Sequence, residues 1–200
     1  PPVRVPPRPI GLFPEIRYQR VEAKIEGQVA LTRVEMLFAN RSPVMQEGTY
    51  VFPLPADATI SSLTMWADGQ KMTGEILDKD KARQIYENIV RQRRDPALLQ
   101  YIGLKAVELR VFPIPPNGER KIELEYSVVL KKEAGLIRYV YPLAGTSFPG
   151  QTLKELAITL RINATGPAKN IYSPSHDISV SRRGEQSADI GYEASSISPS

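Results

Sequence analysis

Short stretches of alternating apolar and polar residues run along most of the chain. Near the start, Val21, Ala23 and Ile25 alternate with charged residues, and a second alternating stretch, Val34–Phe38, follows Gly27. Two period-two stretches on either side of a glycine predict a β-hairpin. Further alternation and short apolar runs bring the total to roughly ten strands separated by turn signals. This pattern predicts a mainly β fold, either an antiparallel β-sandwich or a distorted barrel.

One segment follows a helical period instead. Its apolar residues recur at i, i+3, i+4, i+7 and i+8, which places them on one stripe of a helix. Asp78 suits the N-cap, and Asp95 ends the segment because a residue before proline disfavours the α region. We therefore predict one amphipathic helix at about 78–94, held against a sheet by its stripe. The stripe consists of Ala82, Ile85, Tyr86, Ile89 and Val90.

The predicted helix is rich in arginine, and Trp66 is the chain's single tryptophan. A solvated face whose cations complement the helix dipole explains the arginines, and a docking patch is the alternative. The net charge of +4 is only mildly basic, and no aromatic residues are interleaved with the arginines. We therefore expect no sequence-specific nucleic-acid binding. The possible interaction surface comprises Arg83, Arg91, Arg93, Arg94 and Trp66.

Motifs for catalysis or metal binding are missing from the sequence. The chain has no cysteine, which excludes disulfides, thiolate catalysis and cysteine zinc sites. The single histidine, His176, precedes Asp177, and adjacent residues do not readily orient each other as base and partner. The stretch DKDKA meets only the first two positions of a calcium loop. We expect no enzymatic activity, with no catalytic, metal or cofactor residues.

The chain reads as three regions: a Pro-rich lead-in at 1–15, a β domain at 16–172, and a Ser-rich strand or linker at 173–200. No apolar run approaches the ~20 residues that span a bilayer, so we expect no membrane insertion. The first residue is proline and not methionine, so we interpret the N-terminus as processed or cut, and a signal peptide or membrane anchor lost in this way would leave no trace in the sequence. The last region ends in Ser and Pro, which we interpret as a break before a missing downstream domain. An uncovered sheet edge there would favour weak self-association.

Two triplets match the N-glycosylation signal, Asn40-Arg41-Ser42 and Asn163-Ala164-Thr165. They have meaning only in a eukaryotic secretory pathway. The signal is short enough to occur often by chance.

The stretch GTYVFPLPADATISSLTMWADGQKMTGEILDKDKARQIYENIVRQRRDPALLQ resembles the core of the vault protein inter-alpha-trypsin (VIT) domain. The later VFPIPPNGERKIELEYSVVL resembles the next hairpin of that family, and the likeness covers about 21–130. Its motifs are Tyr50–Pro55, Gly74-Glu75-Ile76, Ala82 with Tyr86, Asp95–Leu99, Pro115, Pro116 and Tyr126.

The resemblance implies a domain without catalytic residues that usually stands directly before a von Willebrand factor A domain, as in inter-alpha-trypsin inhibitor heavy chains. It implies a non-catalytic interaction or structural module that supports this neighbour in an adhesion or assembly protein. The metal-binding D-x-S-x-S motif of that architecture belongs to the A domain and does not occur in this chain. The implied location is extracytoplasmic, secreted or at the cell surface, although intracellular members exist. The alternative is a carbohydrate-binding module, which an exposed Trp66 would favour and a buried one would not.

Overall fold

The computed structural model describes residues 14–67, 69–73, 105–143 and 153–197. The predicted helix at about 78–94, with its four arginines and Tyr86, lies outside these residues. The described part contains twelve strands and no helix. They are β1 (Glu15–Glu26), β2 (Val29–Ala39), β3 (Gln46–Leu54), β4 (Thr59–Ala67), β5 (Gln70–Thr73), β6 (Lys105–Ile114), β7 (Glu119–Val129), β8 (Lys132–Glu133), β9 (Leu136–Ile137), β10 (Leu153–Asn163), β11 (Ser179–Arg182) and β12 (Ser187–Ile197).

Eight of these strands form one open sheet in the order β11-β12-β10-β1-β2-β7-β4-β5. Neighbouring strands are antiparallel except for β1 and β10, which pair in parallel. A second sheet of β3 and β6 packs against one face of the large sheet, so that both share a single apolar core. The mainly β prediction is confirmed. The open sheets favour the sandwich over the barrel, and the parallel pair departs from the predicted antiparallel arrangement.

Local turn chemistry explains two connections. One is the predicted β1–β2 hairpin, and the other is the turn between β6 and β7, which lie in different sheets and do not form the hairpin that the resemblance implied. Gly27 joins β1 to β2 with a φ of 60°, a left-handed conformation that glycine adopts without steric cost. Asn117 takes a φ of 52° in the turn before β7, where asparagine tolerates the left-handed region better than most residues. The β1–β2 register then places Val21 opposite Val34, so both alternating stretches present their apolar residues to one face.

The inner face of the large sheet is the face that the β3–β6 sheet covers. Phe52 of β3 is fully buried and lies 6.3 Å, centroid to centroid, from Tyr126 of β7. Burying a large apolar side chain contributes about 1.5–3 kcal/mol, so this layer decides how the two sheets pack. The fully buried core includes Val21, Val34, Met36, Phe52, Ile114, Ile122, Leu124, Tyr126 and Leu156.

A segment after β9 adds two tyrosines to this core. The Tyr139 hydroxyl lies 2.9 Å from Thr32 Oγ1 in a hydrogen bond, and Gln19 Nε2 donates to the Tyr141 hydroxyl. Burial raises the pKa of both Tyr126 and Tyr139, so these phenols stay neutral in the folded protein. Because their polar atoms come from distant parts of the chain, these contacts tie the segment to the sheet.

Asn40 fixes the loop between β2 and β3. Its Nδ2 donates to the carbonyl oxygens of Val44 (2.7 Å), Ile114 (3.1 Å) and Pro115 (3.1 Å). Its Oδ1 accepts from the backbone N–H of Ser42 at 2.8 Å, which is an Asx turn. The Asn40 side chain is buried, so its one amide satisfies backbone groups from two separate parts of the chain.

Candidate functional site

The outer face of the large sheet lies opposite the core and carries Trp66, the only sequence-predicted site residue in the described part of the chain. The period of two along each strand alternates inner apolar residues with outer polar ones. Cross-strand pairing aligns the outer residues of four strands, β1, β2, β7 and β4. The row nearest Trp66 contains Tyr18, Leu37, Lys121 and Trp66.

Two glutamates face each other at the centre of this face, Glu35 on β2 and Glu123 on β7. Like charges directly opposite each other on a sheet destabilise it. The Lys121 ammonium offsets this repulsion, because its Nζ lies 3.4 Å from Glu35 Oε2 and 3.0 Å from Glu123 Oε1. Arg33 Nη2 lies 2.8 Å from Glu123 Oε2, and the Tyr18 hydroxyl donates to Glu35 Oε1 at 2.8 Å. We call these five residues the Glu35–Glu123 cluster.

The electrostatics follow from these contacts. The bond to Glu123 is the main reason that the pKa of Lys121 is raised. Burial alone would raise the pKa of Glu123, but Lys121 and Arg33 outweigh it and hold this pKa below its ordinary value. Burial, followed by the bond to Glu35, raises the pKa of Tyr18 to about 12. The cluster is therefore a set of satisfied charges, suited to holding strands in register and to contacting another polar surface.

Trp66 borders this cluster. The Lys121 ammonium lies 4.9 Å from the centroid of the indole ring, within cation–π distance. The ring is half-buried, and the indole N–H is buried without a hydrogen-bond partner. A carbohydrate platform needs a free aromatic face, so this placement weighs against that use of Trp66.

An apolar patch lies at the opposite end of the outer face. Val29, Leu31 and Val129 are 50%, 47% and 65% exposed, and Val29 is paired directly with Val129. Exposed apolar residues are common singly, but a contiguous group beside charged residues is typical of a protein contact. We call these three residues the valine patch.

The residues that the sequence analysis considered for catalysis or metal binding were His176 and the stretch DKDKA. His176 Nδ1 lies 2.7 Å from Ser175 Oγ, and the ring packs edge-on to Tyr192 at 4.6 Å. Ser173 Oγ accepts from the backbone N–H groups of Ser175 and His176 at 3.4 and 3.3 Å, which forms a local turn. Within the described ranges, no three His, Asp or Glu side chains gather as a metal site. The partial calcium motif lies outside them.

The family model of the Vault protein inter-alpha-trypsin domain matches residues 16–126. The chain belongs to this family. The match includes β2 to β6 and most of β1 and β7, and therefore the whole Glu35–Glu123 cluster. The sequence resemblance is thereby confirmed.

Several proteins are similar in sequence to this VIT chain. The chain is 29% identical over 143 residues to human inter-alpha-trypsin inhibitor heavy chain H4, covering 71% of this chain and 15% of that protein. It is 26% identical to mouse protein mono-ADP-ribosyltransferase PARP4, covering 73% of this chain and 8% of the relative. It is 30% identical to human von Willebrand factor A domain-containing protein 5A, covering 61% and 16%. The chain thus spans less than a fifth of each of these relatives.

A solved structure from Legionella pneumophila, provisionally named a nutrient-binding protein, has the same fold with a TM-score of 0.60. The sequences are 12% identical, and the likeness covers 93% of this chain and 64% of the other. At that identity it shows the fold alone. In the part of the VIT chain that the structure describes, no helix is both long and apolar enough to cross a membrane.

The sequence alone did not single out the Glu35–Glu123 cluster. The structure exposes Glu22 and Glu26 and half-buries Glu123 and Glu125. Glu35 and Lys121 were missed because their meeting depends on the β2–β7 register, which joins residues far apart in sequence. The sequence carried one signal for these two residues. Each occupies a polar position in a stretch that alternates apolar and polar residues.

Replacing Glu123 with Gln should reduce the loss of stability in acid. The pKa of Glu123 is lowered by folding, so its contribution is present above the unfolded-state pKa and is lost as pH falls through the folded-state pKa. Between pH 7 and pH 3, we expect the variant to lose about 0.5–1 kcal/mol less unfolding free energy than the parent. Urea unfolding at both pH values measures this, with Glu133→Gln, on the exposed two-residue strand β8, as the charge-matched control. Equal acid losses in parent and Glu123→Gln would contradict it.

Proposed function

We propose that this VIT domain is a non-catalytic interaction module that supports a von Willebrand factor A domain in an adhesion or assembly protein. Family membership carries the proposal, together with a relative whose name includes the A domain. The site chemistry is compatible with it, because Lys121 and Arg33 pair with the two carboxylates of the Glu35–Glu123 cluster. The ADP-ribosyltransferase activity in one relative's name is not transferred, since this chain covers only 8% of that protein.

We place this module outside the cytoplasm, secreted or at the cell surface. Support comes from the match to inter-alpha-trypsin inhibitor heavy chains. Direct localisation of the complete polypeptide tests this. We also propose that this chain does not bind nucleic acid sequence-specifically and does not insert into a membrane.

We place the contact with the neighbouring domain at the free edge of β12. This strand pairs with β10 from Leu153 to Asn163 along its length, whereas β11 pairs only with Ala188–Gly191. In the described part of the chain, no strand pairs with Tyr192–Ile197 on that second edge. Unpaired strand edges add strands from other chains, which also makes weak self-association at high concentration part of the proposal. Arg83, Arg91, Arg93 and Arg94 remain a proposed second surface.

The alternative of a carbohydrate-binding module depends on Trp66. The half-buried ring and the Lys121 ammonium above it leave less free aromatic surface than stacking on a sugar requires. The interaction module is therefore the function that we propose.

Thermal unfolding of this chain, compared with a polypeptide that also contains its A domain, tests the proposal. A docked neighbour binds only the folded state, so the VIT domain should melt at a higher temperature in the longer protein. We expect a rise of about 4 °C, which corresponds to roughly 1–2 kcal/mol for a domain of this size. Identical melting of the VIT domain in both proteins would show two independent units.

A further inference from the structure

The two glycosylation signals occupy very different environments. Asn40 is 1% exposed, and its amide donates to three backbone carbonyls. An oligosaccharide on Nδ2 would replace one of its two hydrogens and require space that the surrounding loops fill. Asn40 in the folded protein therefore has a structural role that excludes a glycan.

Asn163 lies at the end of β10, where the chain leaves the sheet. Its Nδ2 donates to Glu26 Oε1 at 3.0 Å in an exposed position, and its Oδ1 accepts from Ser187 Oγ at 2.9 Å. These contacts orient the amide and leave its second hydrogen available. Thr165, the hydroxyl residue of the signal, is exposed.

We propose that Asn163 is an acceptor site for an N-linked oligosaccharide and that Asn40 is not. The biological use of the site rests on the proposed extracytoplasmic location, in a eukaryotic secretory pathway. The donor is an oligosaccharide linked to a polyprenyl pyrophosphate. Asn163 Nδ2 forms the new bond to the anomeric carbon and loses one proton, while the carbon–oxygen bond to the pyrophosphate breaks and the lipid pyrophosphate leaves.

The position of Asn163 decides which surfaces the glycan affects. Cross-strand pairing aligns Asn163 with Glu26, Val29 and Val129 in one row of the outer face. Adjacent strands are about 4.8 Å apart, so Val29 lies about 10 Å from the attachment point. A glycan there shields the valine patch. The free edge of β12 starts at Tyr192, which pairs with Ile158, five residues along β10 from Asn163, so the proposed docking edge stays accessible.

Expression of the full 200-residue chain behind a secretion signal in human cells tests the site. Thr165→Ala removes the signal but keeps the Asn163 side chain and its two hydrogen bonds. Ser42→Ala removes the other signal and is the matched control. Occupancy is read in secreted and retained protein by the mobility shift on N-glycan release and by mass spectrometry of the released peptides.

We expect one glycan in the secreted protein, lost completely in Thr165→Ala and unchanged in Ser42→Ala. An unoccupied Asn163 in both secreted and retained protein would overturn the proposal, as would a shift that persists in Thr165→Ala. A glycan on Asn40 in secreted, folded protein would overturn its second half. These outcomes are independent of the A-domain proposal, which the thermal comparison tests in unglycosylated protein.

Discussion

Replacing Asn40 with Asp should lower the unfolding free energy by about 3 kcal/mol. The two side chains have nearly the same shape, so the change isolates the hydrogen bonds from the volume. The amide donates to the carbonyls of Val44, Ile114 and Pro115, whereas a carboxylate would face those three oxygens without a proton. Urea unfolding at neutral pH, with an unchanged slope, measures the effect.

Asn163→Asp is the matched control, because its amide donates to a glutamate in an exposed position where water can replace the contact. We expect a change within about 1 kcal/mol there, at most a third of the Asn40 effect. If both variants unfolded at the parent's midpoint, the loop around Asn40 would not depend on its amide.

Phe52→Ala should cost about 3–5 kcal/mol, the range for removing a buried aromatic ring. Phe52 is 0% exposed and reaches from the small sheet to the ring of Tyr126 in the large one. The substitution leaves a cavity at the contact between the two layers, so we expect a lower midpoint in chemical denaturation. Loss of cooperativity would further indicate that the β3–β6 sheet has separated from the large sheet.

Tyr172→Ala removes a ring of similar size that is 65% exposed. We expect this control to stay within about 0.5 kcal/mol of the parent, since surface substitutions away from special features have small effects. A Phe52→Ala protein as stable as Tyr172→Ala would show that the sheets do not pack through this ring.

Local signals predicted the β1–β2 hairpin correctly, from the alternation on both sides of Gly27. Asn117-Gly118 gives the turn into β7, but this turn joins strands of two different sheets, so the implied hairpin there was wrong. In each case the turn residue and the period-two pattern occur within a few residues of each other. The mainly β class follows from these signals, whereas the predicted helix at about 78–94 lies outside the described residues.

Long-range pairing could not be predicted in the same way. The parallel pairing of β1 with β10 places Tyr18 opposite Glu155. Neither stretch carries a sequence signal that identifies the other as its partner strand. The Asn40 contacts and the Glu35–Glu123 cluster depend on the same kind of register between distant strands. The half-burial of Trp66 likewise follows from Lys121, which only the β4–β7 register places beside it. The alternation within β4 predicts the face of the sheet on which Trp66 lies. It does not predict how exposed the side chain is.

The most direct test of the docking proposal is amide hydrogen exchange along β12 in a polypeptide that contains this VIT domain followed by the proposed A domain. Tyr192–Ile197 has a second edge without a described strand partner, so docking there should slow exchange of its outward amides relative to this chain alone. Dilution separates docking from self-association, which depends on concentration. Protection that is confined to the longer polypeptide and independent of concentration is the result that we expect. Equal exchange of Tyr192–Ile197 in both proteins would contradict the proposal that the A domain docks at this edge.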